Sequence, residues 1–196
     1  MTDAWRELAE KSGRVAVMSR EITEAELTAE TVRQWDILAP MLNPLLTGSE
    51  QLGLDYGCGA GRFTAAIAAL CGGLTIGYDP CREMLALAPK REHVRYTARL
   101  PLGFEFDLIF TAMVLGDPNV EPDYIAGEIA GLLAPNGLLI VLDHMPDEAP
   151  KGRWWQFRAA SFYRDLFARH GIGLSPIGRL MQLQNEVTVL AGHRTA

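Results

Sequence analysis

The run Leu52-Gly53-Leu54-Asp55-Tyr56-Gly57-Cys58-Gly59-Ala60-Gly61-Arg62-Phe63-Thr64 constrains the fold more than any other part of this 196-residue chain. A short apolar stretch runs into glycines at alternate positions, and an amphipathic stretch follows directly. Glycines at such a junction let the backbone turn sharply and come close to a ligand, while unpaired N–H groups at a helix start favour an anion. The segment therefore predicts a strand, a tight turn and a helix, the opening half of a βαβ unit with a nucleotide-type pocket at the turn.

The rest of the chain repeats that alternation. Strands are predicted at Leu52–Tyr56, Leu74–Tyr78, Val94–Thr97, Phe106–Ala112 and 137–143, with crossover helices at 62–70, 82–88 and 124–133. The strands are apolar enough for a sheet covered on both faces, and parallel strands joined by right-handed crossovers give a doubly wound α/β sheet. A further helix is expected over 154–170, ended by Gly171. Apolar segments at 178–182 and 186–191 flank Leu183-Gln184-Asn185, where Asn suits a turn, so an antiparallel C-terminal hairpin is expected at the sheet edge and brings the total to seven mostly parallel strands. Before the sheet, a short helix stops near Gly13 and a second covers 22–46, kinked or ended by Pro40 and Pro44. Residues 1–46 thus read as a helical cap on a core at 47–196, within one domain.

Composition excludes several classes. With 48% hydrophobic and 21% charged residues, the chain is globular rather than disordered or fibrous. Its 18 Lys+Arg against 24 Asp+Glu give a net charge of −6, no footprint for a phosphate backbone, so no nucleic-acid partner is expected. The N-terminus lacks a signal-peptide pattern and no apolar run approaches ~18 residues, which predicts a cytoplasmic protein without a membrane partner. Cys58, Cys71 and Cys81 are odd in number and form no C-x-x-C pair, so neither disulfides nor a metal site is expected.

Which nucleotide the turn takes depends on spacing. The dinucleotide pattern G-x-G-x-x-G fails because Arg62 stands where its third glycine would be, and the Gly-Lys-Ser/Thr ending of a phosphate loop is absent. Leu54-Asp55-Tyr56-Gly57-Cys58-Gly59-Ala60-Gly61 instead resembles the first motif of class I S-adenosylmethionine-dependent methyltransferases. Thr75-Ile76-Gly77-Tyr78-Asp79-Pro80 followed by Cys81-Arg82-Glu83-Met84-Leu85 resembles the second. Phe106-Asp107-Leu108-Ile109-Phe110-Thr111-Ala112 resembles the fourth strand, and Leu133-Ala134-Pro135-Asn136-Gly137-Leu138-Leu139 the turn before the fifth.

The resemblance implies a Rossmann-like methyltransferase fold with S-adenosylmethionine as cofactor. Asp79, at the end of the second strand, would accept from both ribose hydroxyls. Gly57, Cys58, Gly59 and Gly61 would cradle the methionine end, its carboxylate against backbone N–H groups, and Asp55 would balance its ammonium. Pro80, Cys81, Met84, Thr111 and Ala112 complete the expected cofactor set. The stretch after strand three, Tyr96-Thr97-Ala98-Arg99-Leu100-Pro101, lacks the acid that often meets the adenine amino group, so backbone near Ala98 and Arg99 is expected to read that edge.

For the acceptor, His144 just past strand five and Asp117 just past strand four are the candidate catalytic residues. Trp154 and Trp155 are either a pocket wall or helix packing, and His93, His170 and His193 read as structural. By analogy, helices carrying Arg14, Met18, Arg20 and Trp35 would fold over the cofactor. Thr111-Ala112-Met113-Val114 replaces the Asn/Asp-Pro-Pro-aromatic run of nucleic-acid and amide methylators, which favours a small-molecule acceptor, and transfer from the donor's sulfonium would be a direct displacement. Two other readings stay open: a nicotinamide-dependent oxidoreductase, whose ribose Asp79 would equally serve, and a non-catalytic cofactor-binding module.

Overall fold

The computed structural model describes residues 2–18, 22–147 and 155–194. Helices α1 (Thr2–Ser12) and α2 (Glu24–Leu42) precede a sheet of β1 (Leu52–Tyr56), β2 (Leu74–Tyr78), β3 (Val94–Thr97), β4 (Phe106–Ala112), β5 (Leu133–Asp143), β6 (Ser175–Gln182) and β7 (Asn185–His193). Helices α3 (Thr64–Cys71), α4 (Arg82–Ala86), α5 (Pro122–Leu132) and α6 (Ala160–Ala168) lie between the strands. The sheet order is β3-β2-β1-β4-β5-β7-β6. β1 to β5 pair in parallel, and β7 runs antiparallel to both β5 and β6. The expected doubly wound, seven-stranded α/β sheet is the observed one.

Strand alternation sends side chains to two cores. On one face Leu54, Ile109, Leu139 and Val141 meet Ile125 and Ile129 of α5 and Leu166 and Phe167 of α6. On the other, Phe110, Ile140, Leu142 and Val189 meet Leu38 and Leu42 of α2 and Ile67 of α3. β1 is buried from Gly53 onward, as a central parallel strand must be.

Several boundaries differ from expectation for local physical reasons. α2 starts at Glu24 because Thr23 forms a capping box: Glu26 N–H donates to Thr23 Oγ1 at 3.2 Å and Thr23 N–H to Glu26 Oε2 at 2.7 Å. Pro40 sits within its last turn and the helix ends at Leu42. β5 starts at Leu133, earlier than expected, because Leu133 pairs with Phe106 before the register shifts to Leu108 with Leu138. α6 starts only at Ala160. Residues 155–159 are instead tied to the loop after β4, with Gln156 N–H donating to Gly116 O at 2.7 Å and Arg158 Nη1 to Leu115 O at 2.7 Å. Trp154 and Arg20 lie outside the described residues. In the hairpin, Leu183 rather than Asn185 takes the left-handed conformation (φ 53), and Asn185 pairs with Gln182. α2 holds that tip: Leu183 N–H donates to Glu30 Oε1 at 3.2 Å, and Arg33 donates to Met181 O.

Candidate functional site

A cavity of about 570 Å³ opens along the carboxyl ends of β1, β2, β4 and β5, where open α/β sheets bind ligands, and it has the size of a small-molecule pocket. Asp55, Gly57, Cys58, Gly59, Asp79, Pro80, Cys81, Met84, Ala112, Asp117 and His144 all line it. Four other expected residues do not. Thr111 is buried in the sheet, and Ala98 and Arg99 line a separate depression with Arg82 and Tyr96. Gly61 serves the protein: a Cβ there would lie 2.4 Å from the Tyr96 hydroxyl, so its bareness admits Tyr96 rather than a ligand.

The turn after β1 is wired from within. Gly57, at φ +75, has no room for a Cβ, which would meet Val114 at 2.3 Å. Gly57 and Cys58 N–H both donate to Tyr78 O, at 2.8 and 2.9 Å, and Gly61 N–H to Cys58 O at 2.9 Å. Gly59 N–H donates to Asp79 Oδ2 at 2.9 Å and Cys81 N–H to Asp79 Oδ1 at 2.8 Å. The amides of Gly57, Cys58, Gly59 and Gly61 are thus already used within the fold, and a ligand carboxylate would compete with these bonds. Asp79, which lines the cavity, fixes the turn with one accepted bond on each oxygen and retains further acceptor capacity on both. Burial raises its pKa.

Asp55, buried behind the turn, accepts from Thr64 Oγ1 at 2.6 Å, and burial pushes its pKa up to about 7. Such a carboxyl becomes a stable anion when a cation joins it. Arg62 also lines the cavity; its Nε donates to Thr31 Oγ1 at 3.1 Å and its Nη2 to Gln34 Oε1 at 2.7 Å. Gln34 is the polar interruption in the otherwise apolar buried stripe of α2, Leu27, Leu38 and Leu42, and that interruption is the signal a sequence reading could have used.

Asp117 holds the N-terminal helix. Its Oδ2 accepts from Trp5 Nε1 at 2.7 Å, and its Oδ1 from Asn119 N and Nδ2 at 2.7 and 2.9 Å. Trp5 also packs with Ala60, Cys81 and Met84, so α1 closes over the cavity from α4 to the loop after β4. Val17 and Met18 line the cavity beside it, whereas Trp35 belongs to the core with Phe63 and Phe110.

His144 is built differently. Its Nδ1 lies 2.9 Å from Glu186 O, and a carbonyl only accepts, so Nδ1 carries the hydrogen and the neutral ring keeps its lone pair on Nε2. Trp155 and Phe157 flank the ring, with centroids at 6.5 and 6.1 Å. Trp155 is fixed by Asp143, whose Oδ1 accepts from Trp155 Nε1 at 2.9 Å and from His144 N–H at 2.8 Å. Burial raises the Asp143 pKa to about 7. Gln182, Asn185 and Val187 of the hairpin close this end of the cavity. On the opposite flank lie Tyr56, Tyr78, Glu121, Tyr124 and Glu128, with the Tyr56 hydroxyl donating to Glu128. Spacing marked neither flank.

A sheet in this order, a glycine turn after its first strand and an acid closing its second define the Rossmann-like class I S-adenosylmethionine-dependent methyltransferases. A family model described as a methyltransferase domain matches residues 54–141. No curated protein sequence matches the chain.

Solved structures share the fold at low identity. Magnesium protoporphyrin IX methyltransferase from Synechocystis PCC 6803 with bound S-adenosylhomocysteine is 16% identical, with a TM-score of 0.68 over 98% of this chain and 94% of that one. A chain from the complex between the Haloferax volcanii Trm112 methyltransferase activator and a methyltransferase reaches 0.72 at 14% identity, covering 100% of each chain. Human N-acetylserotonin methyltransferase with S-adenosylmethionine gives 0.62 at 17%, over 96% of this chain and 60% of that one. Among the described residues no helix is long and apolar enough to cross a membrane.

Proposed function

We propose that the protein methylates a small-molecule acceptor by direct displacement, with His144 as the base. The observation that carries this reading is the pairing, in one cavity, of an Asp79-braced glycine turn with an aromatic compartment around a tautomer-fixed histidine. When bound, S-adenosylmethionine supplies a methyl group on a sulfonium. The donor set suits that molecule: Asp79 for ribose hydroxyls, Asp55 for an ammonium, Pro80, Cys81 and Met84 as an apolar wall, and Glu121 or Glu128 to accept from an adenine amino group.

Chain groups do the rest. Trp155 and Phe157 orient a planar acceptor beside His144, and Nε2 takes the acceptor's proton as its nucleophilic atom is methylated. α1 and the hairpin cover parts of the cavity and reduce its access to water. Asp117 is assigned to holding Trp5 rather than to proton transfer, because its oxygens already accept three hydrogen bonds. Like the magnesium protoporphyrin IX and N-acetylserotonin enzymes, the protein is read as acting on a small molecule with a planar ring, which the aromatic compartment supports.

Calorimetric titration with S-adenosylhomocysteine and with NAD, followed by a screen of small phenols, amines and carboxylic acids for labelled methyl uptake, tests this. One site for S-adenosylhomocysteine and none for NAD is the expected result; saturable binding of NAD alone would overturn it.

A further inference from the structure

The arginines of this protein fall into two kinds. Exposed Arg33, Arg169 and Arg179 meet Glu30, Asp123 and Glu186 within 2.6–3.0 Å. Arg62, far more enclosed, has no carboxylate within ion-pair distance among the described residues. Its donors to Thr31 and Gln34 reach neutral oxygens, and its guanidinium lies 4.7 Å over the Phe63 ring. These contacts set its plane and neither uses Nη1, while the carboxylates of Glu30 and Asp55 act on its charge only from beyond ion-pair distance. Burial lowers its pKa only to about 10, so it stays a cation at neutral pH. A charge so enclosed and so well oriented is costly unless something anionic joins it.

The surroundings narrow the anion. The glycine-turn amides that could have served a carboxylate are used by Tyr78, Asp79 and Cys58. Asp55 lines the same end of the cavity, near enough for its charge and that of Arg62 to act on each other. A phosphate or dicarboxylate there would face Asp55 and Asp79 as well as the guanidinium. A zwitterion would not, since its ammonium satisfies the acid while its carboxylate satisfies the arginine.

We propose that Asp55 and Arg62 form a clamp for an α-amino-acid zwitterion, with Arg62 binding the carboxylate at the methionine end of the cofactor. The inference rests on the methyltransferase reading above and replaces backbone amides by one side chain, presented by α2 through Gln34 and Thr31. Arg62 is thus a binding residue, and Gln34 a positioning residue for it.

The test is a calorimetric cycle of three ligands on wild type, Arg62→Met and Arg62→Lys. The ligands are S-adenosylhomocysteine, its decarboxylated analogue S-adenosyl-3-thiopropylamine, and 5′-methylthioadenosine, which lacks the whole amino-acid end. In wild type, loss of the carboxylate should weaken binding about 10- to 100-fold, the range for a charged hydrogen-bonded pair. Arg62→Met should weaken S-adenosylhomocysteine by a similar factor, bind the decarboxylated analogue as wild type does, and leave methylthioadenosine within about twofold. Arg62→Lys should fall between, keeping the charge without the fork.

Equal binding of S-adenosylhomocysteine and its decarboxylated analogue by wild type would overturn the clamp without needing any variant to fold. Unchanged S-adenosylhomocysteine affinity in Arg62→Met would also overturn it, assigning the guanidinium to the acceptor or to α2. Equal weakening of all three ligands would reduce Arg62 to a structural role. Wild type that binds none of the three would instead remove the cofactor reading itself.

Discussion

The two ends of the cavity are made in opposite ways. At the cofactor end, Asp55 to Asp79 lie within 25 consecutive residues, and the backbone of the turn is bonded to its own neighbouring strand. At the proposed acceptor end, His144, Trp155 and Val187 come from three separated parts of the chain, with His144 Nδ1 held by Glu186 O 42 positions away and Trp155 Nε1 by Asp143 Oδ1. The glycine turn and its Asp79 brace are a local motif, joined to α2 through Arg62, whereas the other end is assembled from distant segments. The contrast predicts that mutations divide cleanly between cofactor affinity and turnover.

The largest expected effect lies at the assembled end. His144→Ala should lower kcat by about 10²–10⁴-fold on an acceptor found in the methyl-transfer screen, while the Kd for S-adenosylhomocysteine stays at its wild-type value. A shared loss of binding would mean that the two ends are not separable. Next comes the motif: Asp79→Ala should weaken S-adenosylhomocysteine by about 1.5–3 kcal/mol, because ribose loses a charged acceptor and the Gly59 and Cys81 amides lose theirs. Unaltered binding by calorimetry would place the ribose elsewhere.

Acidity separates the ends further. Asp55 at one end and Asp143 at the other have folded-state pKa values raised from 3.8 to about 7, so between those values the folded state binds more protons than the unfolded chain. Their contribution to stability is complete below the unfolded value and declines as pH rises through about 7. An ammonium at Asp55 favours the ionised form and removes that share of the penalty, whereas Asp143 is out of its reach. The rise in Tm on saturation with S-adenosylhomocysteine should therefore be larger at pH 8 than at pH 5.5, and a constant rise would remove Asp55 from the cation's surroundings. The smallest effect concerns the hairpin: Leu183→Gly should stabilise the protein by about 1 kcal/mol in thermal unfolding, since leucine at φ 53 bears the cost of a left-handed conformation.

The same division governs what the sequence discloses. Sheet topology, the glycine turn and Asp79 are readable because each depends on residues within a strand or turn of one another. The inward-facing side of α2 is readable only in part: Leu27, Leu38 and Leu42 announce a buried face, but nothing local says that Gln34 among them reaches Arg62. The expected helix from 154 fails at 155–159 because tertiary hydrogen bonds to Gly116 and Leu115 outweigh helical periodicity. Ala98 and Arg99 illustrate the converse case, a family position that here lines a separate depression beside Arg82 and Tyr96. His144 was visible as a residue, whereas its tautomer depends on a carbonyl 42 positions further on.

That distance has a consequence for how the protein comes into being. A nascent chain that has emerged through β5 already carries the glycine turn, its brace and the histidine, yet Glu186 is still to be made, so the imidazole has no anchor to choose which nitrogen keeps the proton. Under the proposed reading, the residues for the methyl donor are thus all synthesised before the carbonyl that orients the proposed base.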